Sequence, residues 1–379
     1  MAGIKIRKEG KSVLVGSLVP VGSRDELDSV KGVSHFLEHM MFKGTKTRSK
    51  NEITRAVEQY GAEFNAWTSE EHTFYYLTIS SKYYDIAREI IDDMVHNSVF
   101  PSEEIDNERD VIFQELQMYQ DNPRSSVFEE AQKVVFNNGS GLRLPIIGTK
   151  DTLNTINREI LVDYYNKNYN KMIQVEVGDV EDNRNKVILP RKFTREALNF
   201  SKEDKIITRK GINQANMVFT GLIHKDNPHD NFTLNLLYGV LNGFQGRLFK
   251  TIREENHLVY NCGFFSQIYS CGTIQYWVYA ALNADKINKA KELIKNELTR
   301  PVTEDEYTFS KNKTIGELEL DLDNNKTVGK VIIESILNND DYEDILTNYS
   351  SVDISLNTLN NFITKANFND GKLVAIIPE

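Results

Sequence analysis

The amino-acid sequence predicts an α+β fold made of two homologous α/β domains, and two observations support this prediction. The chain has 379 residues, which is more than one typical hydrophobic core and suits two domains. The order strand, helix, proline, helix over residues 79–116 recurs over residues 281–318, so that Pro101 corresponds to Pro301. Self-similarity of this kind is the signature of an internal duplication.

Apolar periodicity predicts the elements of the first half one by one. The N-terminal residues predict the start of a strand, and the pattern then predicts a strand over 12–20, a helix over 33–42, a helix near 50–60, strands over 63–67 and 73–79, helices over 82–97 and 103–116, a less regular stretch to Tyr169, and a strand over 172–177. The charged segment 184–204, which carries Pro190, is the predicted linker. It separates a predicted N-terminal domain, residues 1–183, from a C-terminal domain, residues 205–379.

The helix over residues 33–42 carries His35, Glu38 and His39 and ends at a Lys-Gly-Thr sequence. Residues three and four positions apart are neighbours on a helix, so the two imidazoles and the carboxylate share one face. Such groups are costly to bury without partners, and one metal ion would satisfy all three. The order His-x-x-Glu-His is that of the inverted zincins. The alternative interpretation is two packed histidines with a capping carboxylate.

A catalytic zinc site usually has three protein ligands and an open position for water, so this pattern requires another ligand. The acidic segment 103–116 follows Pro101-Ser102 and predicts a helix with Glu108 and Glu115 on one face, two turns apart. Acidic residues on such a helix are usually solvated. The residues alone therefore leave open whether this helix provides a ligand.

Residues 35–39, together with the sequence Glu-Arg-Asp-Val-Ile-Phe-Gln-Glu at 108–115, resemble the pitrilysin family of metallopeptidases, which includes insulin-degrading enzyme and the mitochondrial processing peptidase. Glu115 follows His39 by 76 positions, which matches the family's spacing from the second histidine to the third zinc ligand. The resemblance thus implies Zn²⁺ bound by His35, His39 and Glu115, with Glu108 as a supporting carboxylate. It also implies antiparallel-rich mixed sheets with helices packed on one face.

The second half differs from the first where the metal is expected. Its counterpart of the motif helix, around residues 233–238, contains no histidine, so we expect one zinc ion per chain. Arg253 and Tyr260 match an Arg and a Tyr that reach the active site from the family's C-terminal domain, where they are suitable donors to an oxyanion. Taken alone, Arg253 would as readily pair with a neighbouring glutamate, and Tyr260 would be an ordinary strand aromatic.

The predicted strand at residues 64–69 is the candidate for substrate binding. In the family this strand pairs with an extended peptide through its main chain, and an unpaired strand edge favours such pairing. The resemblance assigns this role to Asn65, Ala66 and Trp67. Because main-chain recognition is insensitive to side chains, we expect broad specificity.

The composition limits which binding partners and which cellular compartment we expect. The net charge of −10 argues against nucleic acid, and no run of 18 apolar residues predicts a membrane helix. The N-terminus lacks a signal-peptide h-region, so we expect a cytoplasmic protein, although a cleaved mature form would look the same. Cys262 and Cys271 match no ligand spacing; free thiols are expected, and a cross-strand disulfide stays open.

The predicted function is zinc-dependent endopeptidase activity toward unfolded peptides or oligopeptides, with Glu38 as general base. A two-domain chain resembles half of the insulin-degrading enzyme type, which implies that two chains pair as a clamshell around a chamber. A homodimer is the simpler expectation because the zinc motif and the Arg–Tyr pair occur in one chain; a heterodimer with a related subunit is the other. The alternative function is a catalytically inactive or peptide-capturing subunit of a heteromeric complex.

Overall fold

A computed structural model describes residues 2–190, 192–198, 203–227, 229–347 and 354–379; residues 191 and 199–202 of the predicted linker lie outside these ranges. The strands are β1 Ala2–Arg7, β2 Ser12–Val19, β3 Glu63–Thr68, β4 Thr73–Ser80, β5 Ile173–Gly178, β6 Lys205–Arg209, β7 Ala215–His224, β8 Val259–Ile268, β9 Thr273–Leu282 and β10 Lys372–Pro378. The α-helices are α1 Val33–Met41, α2 Lys50–Glu58, α3 Tyr84–Asn97, α4 Ser102–Asp121, α5 Pro123–Val135, α6 Lys150–Thr155, α7 Arg158–Asn168, α8 Asp230–Leu241, α9 Ile287–Thr299, α10 Glu304–Asp321, α11 Asn325–Asn338, α12 Tyr342–Leu346 and α13 Leu356–Ala366. Residues Phe249–Glu255 form a π-helix.

Each half of the chain contributes a five-stranded sheet, and the two sheets have the same topology. Their strand orders are β1-β5-β2-β4-β3 and β6-β10-β7-β9-β8. In both, the first pair is parallel and the other neighbours are antiparallel. This topology confirms the predicted α+β class with mixed, antiparallel-rich sheets, and its repetition agrees with a duplication.

The chain folds into two compact units that are not continuous in sequence. The first contains the described residues of 1–118, 144–189 and 321–342, and the second those of 119–143, 190–320 and 343–379. The first unit thus includes α11, and the second includes α5. The predicted domains, 1–183 and 205–379, are continuous segments, so they assign α5 to the N-terminal domain and α11 to the C-terminal domain.

In the first unit, strand alternation divides the core between the two faces of the sheet. Val13, Val15 and Val19 of β2 join the large apolar cluster formed with α1 and α3. Leu14 points to the other face and lies against α11, where a Cβ on Gly329 would be 3.2 Å from its side chain. The helices therefore lie mainly on one face, as expected, with α11 added on the other.

The second unit repeats this arrangement with α5. Met217 and Phe219 of β7 join the cluster that contains residues of α8 and α9. Val218, between them, packs with Val127 and Ala131 of α5 on the opposite face. Each sheet is thus covered on its second face by one helix from the other half of the chain.

The predicted elements of the first half are confirmed close to their predicted bounds, with one exception. The prediction of a less regular stretch up to Tyr169 is wrong, because it contains α5, α6 and α7. Helix start signals were present: the Asn122 side chain accepts from backbone N–H groups ahead of Pro123, and Asn157 caps α7 in the same way. None of the helices in the described ranges has the length and apolar character needed to cross a bilayer.

Candidate metal centre

Helix α1 is held at its N-terminus by a buried carboxylate. Glu26 accepts hydrogen bonds from the backbone N–H groups of Gly32, at 2.8 Å, and Ser34, at 2.7 Å. Burial raises the pKa of Glu26 to about 7, opposed by the charge of Lys31 and by these hydrogen bonds. Gly32 has a φ of 96°, a value that glycine adopts without strain. The direction in which α1 leaves this turn is therefore fixed by side-chain and backbone contacts.

Three ligand-type atoms from α1 and α4 converge in the first unit. Oε2 of Glu115 lies 3.7 Å from Nε2 of His35 and 3.6 Å from Nε2 of His39, and all three atoms lie within 4.8 Å of one another. Two ligand atoms bound to tetrahedral zinc at about 2.0–2.1 Å are roughly 3.4 Å apart. The two separations from Glu115 therefore exceed the zinc-bound value by only a few tenths of an ångström.

His35 has the environment of a neutral imidazole. Burial, and then the neighbouring charge of His39, lowers the pKa of His35 to about 3. Its Nδ1 is buried and has no hydrogen-bond partner among the described residues, and its Nε2 is too far from Glu115 for a hydrogen bond. Neutral imidazole is the form that binds metals, so His35 is in the protonation state that binding a metal through Nε2 requires.

His39 is oriented by Glu108. Its Nδ1–H donates to Oε1 of Glu108 at 2.8 Å, because a carboxylate can only accept, and this leaves Nε2 directed at Glu115. Burial acts to lower the pKa of His39, but Glu108 and the other nearby carboxylates raise it overall. Lys43 forms an ion pair with the other oxygen of Glu108. Burial acts to raise the pKa of Glu108, and its bonds to His39 and Lys43 lower it overall.

Glu38 lies on the same face of α1 and is half-buried. Its Oε2 accepts a hydrogen bond of 2.5 Å from Oγ1 of Thr68, the last residue of β3. Burial raises the pKa of Glu38, the bond from Thr68 and the charge of His39 oppose the rise, and the charge of Glu115 adds to it. A carboxylate with a raised pKa beside a group of ligand-type atoms is a candidate general base.

Strand β3 lies at the edge of the first sheet and pairs with β4 alone among the described strands. Asn65, Ala66 and Trp67 therefore lie on a strand with one unpaired edge. Side chains alternate along it: Thr68 points toward α1, whereas the Trp67 ring packs on Phe74, 4.8 Å away between ring centroids. The Trp67 side chain thus belongs to the face opposite the metal-binding atoms.

Arg253 and Tyr260 lie in the second unit, one in the π-helix and the other in β8. The Arg253 guanidinium carbon lies 4.7 Å from the ring centroids of both Phe249 and Tyr260. Within the described part of the chain Arg253 forms no ion pair, so it does not pair with a neighbouring glutamate. Tyr260 is 81% exposed, unlike an ordinary strand aromatic.

The described residues of the second unit contain no counterpart of the helix face that carries His35 and His39. Helix α8 contains no histidine, and the group His35, His39 and Glu115 is the only one of its kind found among the described residues. Cys262 and Cys271 are both free, so the cross-strand disulfide is not formed.

Glu26 and Lys43 were not among the residues predicted for this site, and Thr68 was predicted only as part of the strand that binds the peptide. Lys43 lies just beyond the last residue of α1, so helical spacing does not indicate its contact with Glu108. Glu26 and Thr68 act across elements that are distant in sequence, and no local pattern indicates their contacts.

Comparisons with known proteins agree with this fold. Residues 4–150 match the family model described as insulinase (peptidase family M16), and residues 155–314 match the peptidase M16 inactive domain. A protein of Rickettsia bellii named an uncharacterized zinc protease is 34% identical over 303 residues, covering 76% of this chain and 73% of its own. The uncharacterized zinc protease YmxG of Bacillus subtilis is 29% identical over 370 residues, covering 92% and 87%.

A solved protease from Helicobacter pylori has the same fold, with a TM-score of 0.85 at 18% identity over 99% of this chain and 96% of its own. The family matches cover both halves of the chain and confirm the resemblance inferred from residues 35–39 and 108–115. The chain therefore belongs to peptidase family M16, the pitrilysin family.

Proposed function

We propose that this protein is a zinc-dependent endopeptidase in which His35, His39 and Glu115 bind one Zn²⁺ per chain. The convergence of these three ligand atoms within 4.8 Å, with Glu38 on the same helix face, is the observation that carries the proposal. The names of the relatives as zinc proteases support the choice of metal. A bound zinc ion would polarise the scissile carbonyl and lower the pKa of a coordinated water to about 7.

Glu38 moves the protons in this mechanism, as in the inverted zincins. Its carboxylate accepts a proton from the attacking water and delivers it to the amine that leaves when the peptide bond breaks. Glu108 orients His39 through the Nδ1 hydrogen bond and so keeps Nε2 available as a ligand. In the proposed dimer, Arg253 and Tyr260 of the partner chain donate to the oxyanion that forms when water adds to the carbonyl.

The substrate is an unfolded peptide or oligopeptide. It pairs as an added strand along the free edge of β3 at Asn65, Ala66 and Trp67, where main-chain hydrogen bonds supply the affinity. The alternation of side chains along β3 supports recognition by main chain, because the Trp67 ring packs within the protein. We also propose that two identical chains pair as a clamshell around an enclosed chamber and that the protein is cytoplasmic.

The test is cleavage of an internally quenched peptide library by the purified full-length protein, with zinc content measured on the same samples. We expect chelator-sensitive cleavage inside peptides and about one zinc ion per chain. Glu38→Gln should keep zinc and lose cleavage, whereas Glu115→Gln should lose zinc. Glu104→Gln is the matched control, since Glu104 lies on the same helix and its ion pair with Lys50 is 3.8 Å long.

Three outcomes would contradict the proposal. A wild-type protein that binds zinc and peptides without cleaving them would be a peptide-capturing subunit. A protein that neither binds zinc nor cleaves after zinc is added would be an inactive member of a heteromeric complex. Cleavage of equal rate in wild type and Glu38→Gln would exclude Glu38 as the base.

A further inference from the structure

We propose that Thr68 is a positioning residue for Glu38, so that the strand proposed to bind the peptide also holds the carboxylate proposed to move the proton. This inference rests on the proposed function and names a residue that the family motif, residues 35–39 and 108–115, does not include. It starts from one contact: Thr68 Oγ1 donates to Oε2 of Glu38 at 2.5 Å.

The position of Thr68 is itself fixed by the β3–β4 hairpin. Thr68 pairs with Thr73 across the hairpin, and the next residue, Ser69, donates its N–H to the carbonyl of His72 at 2.8 Å. The Ser69 side chain also contacts Nδ1 of His72 at 2.6 Å. The backbone N–H of Ser23 donates to the carbonyl of Ser69 at 3.1 Å. The hydroxyl of Thr68 is therefore presented from a backbone that is anchored on both sides.

The hydroxyl selects which oxygen of Glu38 is available. A carboxylate has two oxygens, and a donor on Oε2 occupies one of them and restricts rotation of the group. Oε1, which accepts no side-chain hydrogen bond recorded among the described residues, is then the more available oxygen for the proton of the attacking water. Glu38 also lacks an ion-pair partner among the described residues, so the Thr68 hydroxyl is the one side-chain hydrogen bond that the structure records for it.

The contact also links two steps of the proposed reaction. Thr68 ends the same strand whose free edge would pair with the peptide at Asn65 and Ala66. A peptide added along β3 would thus lie on a strand that ends at the base, and the register of the peptide and the position of Glu38 are set by one element. Preorganisation of this kind acts on the chemical step more than on binding.

The test compares three variants in the full-length, zinc-loaded protein. Thr68→Val removes the hydroxyl but keeps the volume and the β-branched shape, and Thr68→Ser keeps the hydroxyl. Thr73→Val is the matched control, because Thr73 lies directly across the hairpin and its hydroxyl bonds to the carbonyl of Val21. The readouts are zinc content, kcat and KM for a quenched peptide, and crystal structures that locate the Glu38 carboxylate.

We expect Thr68→Val to retain zinc and KM but to lose about 10-fold or more in kcat. Thr68→Ser should restore most of that loss, and Thr73→Val should have the kcat of wild type. The crystal structure of Thr68→Val should show the Glu38 carboxylate rotated away from its wild-type position, and those of the other two variants should not.

Each contrary result is distinct from a failure of the proposed function. Equal kcat in wild type and Thr68→Val, equal losses in Thr68→Val and Thr73→Val, or loss of zinc from Thr68→Val would overturn the inference. An unmoved Glu38 in Thr68→Val would overturn it as well. If the wild type binds zinc but cleaves nothing, the proposed function fails, and the crystal structures alone still decide whether Thr68 positions Glu38.

Discussion

Replacing Glu108 by glutamine tests how much the residues around the three proposed ligands contribute to zinc affinity. Glu108 is 6% exposed, and its two oxygens accept from two different donors, the Nδ1–H of His39 and the ammonium of Lys43. Glutamine offers one acceptor oxygen and an NH₂ group. In Glu108→Gln, therefore, one of these two half-buried donors must face another donor.

The expected loss follows from that conflict. Contacts that orient a metal-binding histidine typically account for 10–100-fold in metal affinity, which corresponds to about 1.4–2.7 kcal/mol. Lys43→Met in the same protein removes the competing donor, so the amide oxygen can return to His39. We therefore expect the double variant, Lys43→Met with Glu108→Gln, to bind zinc more tightly than Glu108→Gln alone, which is a non-additive result.

The assay is competition for zinc with a chromophoric chelator, on samples whose urea unfolding curves show that they are folded. Glu104→Gln, on the same helix, should bind zinc as the wild type does. The reasoning is refuted if Glu108→Gln also keeps wild-type zinc affinity, or if the Lys43 and Glu108 substitutions have independent effects.

Three further predictions concern stability and thiol chemistry. Gly148 has a φ of +83° and a Cβ there would lie 2.3 Å from the Lys31 carbonyl oxygen, whereas Gly139, with a φ of +90°, has open space around it. Gly148→Ala should therefore lose about 1–3 kcal/mol more free energy of unfolding than Gly139→Ala, as measured in urea. Equal losses would contradict the close packing at the start of α1. Burial lowers the pKa of His72 from 6.5 to about 4, so the unfolded state binds the proton more readily than the folded state. The free energy of unfolding should therefore fall by up to about 3 kcal/mol as the pH is lowered from 6.5 toward 4. His72→Gln should lack this slope, and identical pH profiles for the two proteins would exclude His72 as its source. Burial raises the pKa of the Cys262 thiol to about 11, so Cys262 should react slowly with a disulfide reagent in the native protein. Two thiols should react once the protein is unfolded in denaturant. Rapid reaction of Cys262 in the native protein would contradict its burial.

Much of the metal site was predictable because its signal is local. His35, Glu38 and His39 lie within two turns of one helix, and the 3.6-residue period alone places them on one face. Glu115 required more, since helix α4 reaches the site through tertiary packing. Its assignment came from the family spacing, and the structure brings its carboxylate to within 3.7 Å of both imidazoles.

Contacts between distant segments account for what the sequence did not predict. Helices α5 and α11 each cover the sheet built by the other half of the chain, and amphipathic periodicity shows that a helix has an apolar face without showing what it packs against. The same limit applies to Thr68, which lies 30 positions from Glu38. Tertiary contacts do not explain the failure to predict the helices between residues 117 and 169, because the capping residues of α5 and α7 were visible in the sequence.

The most direct test of the central claim is an anomalous difference map from crystals of the full-length protein, measured on both sides of the zinc absorption edge. The account predicts a peak bonded to Nε2 of His35, Nε2 of His39 and a carboxylate oxygen of Glu115, at about 2.0–2.2 Å from each. A map with no peak there after zinc is added, or with zinc bound by other residues, would contradict it.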